Sequence, residues 1–325
     1  MSLLHDYNES LYIGDAQQIF YAGLDATNRA MCFQAKRKTT QNGVDTMAIY
    51  NGFTSKAAAK RALAESGFTF GAALASPESN PKVFKNMKSG VMTSPLHLAP
   101  ANLSGFNTCA MASEGCKAAC LHTAGNPAYM PNKTKARIAR TLAYFKARKA
   151  FVALVAFEIE SLAIKAGKAD MQAGVRLNAT SDIPWESVAL TVNNKPVASL
   201  IEAFPNVEFY DYTKVTKRAL KHAAGLLPQN YHITFSKTES NDSDVARVLE
   251  AGGNVAVVFD KLPESYMGFP VINGDETDFR PSDDKGVVVG LKAKGDAKAD
   301  ESGFVVRIAN KYAKALANGK RIAYT

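Results

Sequence analysis

From Val91 onward, short apolar runs alternate with stretches of helical periodicity. Val91 to Leu98, Val175 to Leu177, Val207 to Tyr212, Tyr231 to Phe235, Val255 to Phe259 and Val287 to Leu291 each read as a strand bounded by polar or turn-forming residues. Between them lie helical patterns over Lys133 to Ala166, Val197 to Phe204, Thr216 to Leu226 and Asp244 to Ala251. In the first of these, Ile138, Leu142, Phe145, Lys149 and Val152 share one side. Strands separated by helices require parallel pairing through right-handed crossovers. The pattern therefore predicts an α/β fold, a partial or complete parallel (βα) barrel of about six strands, with an open doubly wound sheet as the alternative.

The first ninety or so positions follow a different pattern. Arg29 to Lys38 and Asp45 to Tyr50 are strand-like runs around Gln41-Asn42-Gly43, a hairpin signal. Ser55 caps a helix from Lys56 to Glu65 that ends near Gly67, and Ser76 to Gly90 reads as an exit loop. The expected division is an N-terminal hairpin-and-helix lobe with its linker over 1–88, and a barrel-like domain over 89–325.

Polar residues collect where the predicted strands end. Leu177 is followed by Asn178, Thr180, Ser181 and Asp182; Tyr210 by Asp211, Thr213 and Lys214; Phe235 by Ser236, Lys237 and Glu239; Phe259 by Asp260 and Lys261. In a parallel sheet or barrel these are C-terminal strand ends, the rim where ligands bind. Asn178, Asp182, Asp211, Lys214, Ser236, Glu239 and Asp260 are therefore expected around one cavity, with Lys214 anchoring an anionic substrate. Loop residues are also polar because they face water and cap helices, so the collective pattern carries more than any member.

The 325 residues are 46% hydrophobic and 21% charged, which excludes disordered, collagen-like and rod-like chains. No apolar run approaches membrane-spanning length, and Asp6, Glu9 and Asp15 interrupt any secretory pattern, so a cytoplasmic protein is expected. A formal charge of +9 favours polyanionic partners, a nucleotide or nucleic acid. The basic stretches Lys133 to Lys149 and Lys214 to Lys221 also read simply as solvated helix faces.

Three of the 4 cysteines, Cys109, Cys116 and Cys120, fall in one short segment with the spacing CxxxxxxCxxxC. Such thiolates suit three corners of a [4Fe-4S] cluster, with Gly115 easing the backbone path. Zinc is the alternative metal, with His122 or the distant Cys32 as fourth ligand. Cys32, between Met31 and Phe33, reads better as a buried apolar residue.

The segment Asn107 to Cys120 directly after the first strand resembles the cluster loop of the radical S-adenosylmethionine superfamily, although its spacing departs from the usual CxxxCxxC. With Arg176 to Asp182, Phe209 to Lys214 and Tyr231 to Ser236, it looks more narrowly like a tailed-phage protein family related to those iron-sulfur enzymes. The resemblance implies a six-stranded partial barrel in the host cytoplasm, a cluster on Cys109, Cys116 and Cys120, and S-adenosylmethionine on the open iron. It carries no substrate; the cluster loop, the polar rim and the +9 charge together favour an enzyme acting on a nucleotide or nucleic-acid base. Lys214, Asp182 and Glu239 are then catalytic candidates, while Asn178, Ser181, Asp182, Asp211, Ser236 and Asp260 are candidates for holding the cofactor. The alternative is a non-catalytic nucleic-acid-binding or regulatory protein with a structural metal.

Other features have plain readings. Asp275, Asp278, Asp283 and Asp284 suit a divalent cation or an acidic loop. Lys292 and Lys294 suit a phosphate or solvent, and Trp185 suits base stacking or rim packing. His232 reads as structural, and no P-loop, dinucleotide fingerprint or nucleophile elbow is present.

Overall fold

The chain divides into two units, Met1–Thr46 and Met47–Thr325. The computed structural model describes residues 48–79, 81–120 and 130–308, all in the second unit. The expected hairpin at Gln41-Asn42-Gly43, and the residues Cys32 and His122, lie outside the described residues.

Helix α1, Lys56–Glu65, begins where Ser55 Oγ accepts the Ala58 N–H at 3.1 Å. It stops at Gly67, whose φ of 84° lets the Phe68 N–H reach back to the Leu63 carbonyl. A short helix α2, Pro81–Phe84, leads to strand β1, Val91–Pro95. Then come α3, Glu114–Ala118, α4, Pro131–Lys146, and α5, Arg148–Lys168. The predicted long helix is thus two, divided at Ala147, which has φ −130° and ψ 44°. Helix α5 is the central piece: Ala150 through Ile159 are all buried, and α1 packs on it through Ala59 and Leu63.

The remaining chain supplies β2, Gln172–Arg176; β3, Leu190–Val192; β4, Lys195–Val197; α6, Leu200–Ala203; β5, Glu208–Thr213; α7, Thr216–Ala223; and β6, Tyr231–Ser236. Helix α8, Asp242–Glu250, precedes β7, Asn254–Phe259, followed by β8, Ser265–Tyr266, β9, Phe269–Asn273, and β10, Val288–Lys292. The main sheet has 8 strands in the order β1-β2-β5-β6-β7-β10-β9-β8. All of its neighbours pair in parallel except β8 with β9. The fold is α/β with a mostly parallel sheet, and the six predicted strands stand side by side in chain order.

Strand alternation gives this sheet two unlike faces. Val175, Phe209, Ile233, Phe235, Val255, Val257, Phe259 and Val288 join the core that includes Phe151, Leu154 and Ile159 of α5. The other face carries Thr93, Arg176, Tyr210, Tyr212, Thr234 and Ser236. The stretch after β9 lies against that polar face: Phe279 meets the Tyr210 ring edge-on at 5.6 Å, and Asp278 accepts from the Tyr210 hydroxyl at 3.1 Å.

Candidate functional site

The cysteine segment is fastened past the C-terminal ends of two strands, and one of those two loops is tied to a third strand. Past β2, the Asp182 N–H donates to the Thr108 carbonyl at 2.7 Å, and Cys109 Sγ lies 4.0 Å from the Thr180 carbonyl oxygen. Past β6, the Glu239 carboxylate accepts from Ser113 Oγ at 2.6 Å and from the Gly115 N–H at 2.9 Å. Ser113 in turn caps α3, accepting the Cys116 N–H at 3.2 Å. At the end of β5, the Asp182 carboxylate accepts from Thr213 Oγ1 and the Lys214 N–H, both at 2.8 Å. Gly115 matters here for space rather than for its backbone angles. A Cβ at this position would sit 2.9 Å from Glu239 Oε2.

Cys109, Cys116 and Cys120 are half-buried thiols, none in a disulfide. Burial pushes the Cys109 thiol up, against hydrogen bonds from Ala101 and Thr108, with the Asp182 charge adding to the rise and the Lys214 charge opposing it. Hydrogen bonds from Ser113, its own N–H and Gly115 overcome burial at Glu239 and hold its carboxyl below the usual range. Lys214 has no hydrogen-bond or ion-pair partner for its ammonium among the described residues. Soft thiols on one short segment match iron or zinc by donor type. Among the described residues, however, no group of three or more His, Cys, Asp or Glu side chains is gathered as a metal cage.

Three of the six residues expected to hold a cofactor, Asn178, Ser181 and Asp211, are bonded to one another, and Asp182 joins them through Arg218. Asp211, 1% exposed, accepts from the Asn178 N–H at 2.6 Å, from Asn178 Nδ2 at 3.0 Å and from the Tyr231 hydroxyl at 2.9 Å. Asn178 Oδ1 accepts from Ser181 Oγ at 2.9 Å and from the Ile183 N–H at 2.8 Å. Arg218 closes this network, bonding Asp182 at 2.6 Å, Glu186 at 2.7 and 2.9 Å, and Tyr231 at 2.9 Å. Burial pushes Asp211 up to about 7 despite these donors and the Arg218 charge. These contacts hold the rim loops together, and the surface Asp211–Lys214 pair allowed by the spacing does not form.

Of the remaining candidates, Ser236 is half-buried with its carbonyl accepting from Asn241 Nδ2 at 3.1 Å. Asp260 is exposed and accepts from the Lys261 and Ile308 N–H groups at 2.7 and 3.1 Å. The acidic stretch is paired with cations: Asp275 with Lys294 at 2.6 Å, Asp278 with Arg176 at 3.1 Å, and Asp283 with Arg280 at 3.2 Å. Trp185 is fully buried, its ring 5.2 Å from that of Tyr144, so it packs the rim. His232 is half-buried, 3.1 Å from Glu208.

The family model described as Gene product 88 matches residues 68–308, which takes in every described strand and the whole cysteine segment. The chain belongs to the Gene product 88 family. Membership supports the phage-protein part of the resemblance drawn from the sequence and is silent on its iron-sulfur part. No curated protein and no solved structure matches the chain. No described helix is long and apolar enough to cross a membrane.

Sequence reasoning passed over Arg137, Arg140 and His97, which cluster behind the cysteine segment, and Arg218, which binds the rim network. Both arginine-bearing helices read as solvated basic faces. The available signal was Arg176, a lone cation inside the apolar run Val175 to Leu177.

Proposed function

We propose that this chain is an iron-sulfur enzyme of the radical S-adenosylmethionine type, of phage origin, acting on a nucleotide or nucleic-acid base in the host cytoplasm. The observation that carries the reading is the fastening of the cysteine segment to the loops past the C-terminal ends of β2 and β6. That is the edge of a parallel sheet at which ligands are bound. In this reading the sheet is curved as a partial barrel, its polar face turned inward under the stretch after β9. A cluster held by the three thiols would supply one-electron reduction of S-adenosylmethionine.

The chain's own groups have defined parts to play. Glu239 holds the α3 end of the cysteine segment at a fixed place. Asp182 aligns the segment with the start of α7, and the Lys214 ammonium stands by the Cys109 end to receive an anionic substrate. The engagement of Asn178, Ser181 and Asp211 with one another, and of Asp182 with Arg218, favours a second reading, a non-catalytic nucleic-acid-binding or regulatory protein whose metal is structural.

Anaerobic purification or reconstitution, followed by iron, sulfide and zinc analysis, separates the two. The enzyme reading expects iron with acid-labile sulfide, its visible absorption lost in Cys116→Ala, and release of 5′-deoxyadenosine from S-adenosylmethionine on reduction. Zinc in place of iron, or an iron-loaded protein inert toward S-adenosylmethionine, overturns it.

A further inference from the structure

Arg137 and Arg140 of α4 and Arg176 at the end of β2 lie within electrostatic reach of the His97 imidazole, past the end of β1. Arg137 and Arg140 stand one turn apart on α4, which is pinned at this point by Thr141. Its hydroxyl accepts the Ala99 N–H at 2.8 Å and donates to the Arg137 carbonyl at 2.9 Å. Arg140 Nε donates to the His97 carbonyl at 3.1 Å. Arg176, at the end of β2, pairs with Asp278 at 3.1 Å and lies with its guanidinium carbon 4.7 Å over the Tyr212 ring. Burial first, then the charges of Arg137, Arg176 and Arg140, hold the His97 imidazole down at about 3, against Asp278.

Among the described residues the cations here outnumber the anions. Asp278 serves Arg176, and Glu158, whose charge reaches Arg140, sits 3.0 Å from the Lys56 ammonium and accepts the Leu74 N–H at 2.8 Å. Neither Arg137 nor Arg140 forms an ion pair among the described residues. Arg137 is only 6% exposed, and its Nη1 is buried with no hydrogen-bond partner among the described residues. His97 Nδ1 and Arg176 Nε are likewise buried and unpartnered among the described residues. Buried charged donors are costly to leave unanswered, and an arginine fork suits a tetrahedral oxyanion.

We propose that Arg137, Arg140, His97 and Arg176 form a binding site for a phosphate group, free or carried by a nucleotide. The two guanidiniums, without an ion-pair partner among the described residues, match the charge of roughly −1.5 to −2 on a phosphate monoester near neutrality better than a single carboxylate charge does. The site stands on its own charges, and metal loading is not needed for it to be tested.

The test is calorimetric titration of the full chain, without metal, using inorganic phosphate and a nucleoside 5′-monophosphate. Saturable binding is expected, weakened about tenfold or more by Arg137→Gln and by Arg140→Gln, and unchanged by Lys168→Gln on the exposed end of α5. Tighter binding of the nucleotide identifies it as the source of the phosphate, and equal binding identifies free phosphate. If Arg137→Gln does not fold, phosphate must still protect Arg137 or Arg140 of the wild-type chain from phenylglyoxal. Absence of saturable binding, wild-type affinity in both folded variants, or absence of protection overturns the proposal.

Discussion

Arg218 and Asp211 show how individual side chains build the rim. The Arg218 guanidinium reaches Asp182, Glu186 and Tyr231, so three buried or nearly buried acceptors depend on one cation. Asp211 sits beneath them as a carboxylate that burial pushes up to about 7. Its folded value lies above its unfolded one, so its protonated form favours folding. This contribution is fully present below about pH 4 and is lost as the pH rises through about 7. Asp211→Asn should lack that loss, so the variant gains stability relative to the wild type between mildly acid and mildly alkaline solution. Denaturant titrations at several pH values read the difference directly, and an unchanged gap would show that Asp211 is ionised throughout. At this scale Asp182 and Asp211 are legible in the sequence as polar residues after strands. Their engagement with each other's surroundings is not, because Arg218 lies in a helix whose local charge pattern looks solvated.

Among the elements, the parallel strands were the most legible and the connections the least. Runs such as Val255 to Phe259 announce themselves by β-branched and aromatic residues; four of the six lie within one residue of their expected ends, while β1 stops three residues early and β2 starts three residues early. The hairpin of β3 and β4 escapes such a reading because its signal is only Asn193-Asn194, both with positive φ, between two short strands. The division at Ala147 carries no Pro or Gly to mark it. Helix α4 also buries Arg137, Thr141, Ala143 and Tyr144, a stripe that an apolar-face argument does not select. Helix α3 is too short to hold its place by itself and leans on Glu239. Glu239→Ala should raise hydrogen exchange at the Gly115 and Cys116 amides by about tenfold or more, in line with the loss of charge-assisted bonds. Gly115→Ala should do the same by displacing the carboxylate. Unaltered exchange in both would mean that the segment is fixed by other contacts.

Across the whole molecule, the stretch from Asp260 to Gly286 ties the two ends of the sheet together. Asp278, fully buried, bonds Arg176 on β2 and Tyr210 on β5, while its N–H reaches Asn86 before β1. Asp278→Ala leaves Arg176 uncompensated and should cost about 3–5 kcal/mol of folding stability, measured by chemical denaturation. A loss below about 1 kcal/mol would place the buried pair among those that are energetically neutral. None of this is readable from the acidic composition of the stretch, because its partners lie far away in the chain.

The strand order also governs how the protein emerges from the ribosome. From β2 to β7 each strand of the main sheet is laid beside the one made before it, so each crossover joins neighbours and pairing can keep pace with synthesis. The pairing of Val91 with Gln172 is different, since the cysteine segment, α4 and α5 must all be made before β1 meets β2. Closing that span is the expected slow step, and until it occurs the thiols and the basic cluster are parts of an unformed loop. Any ligand held by either becomes bindable only once the first two strands have joined, so maturation would follow, rather than guide, the birth of the sheet.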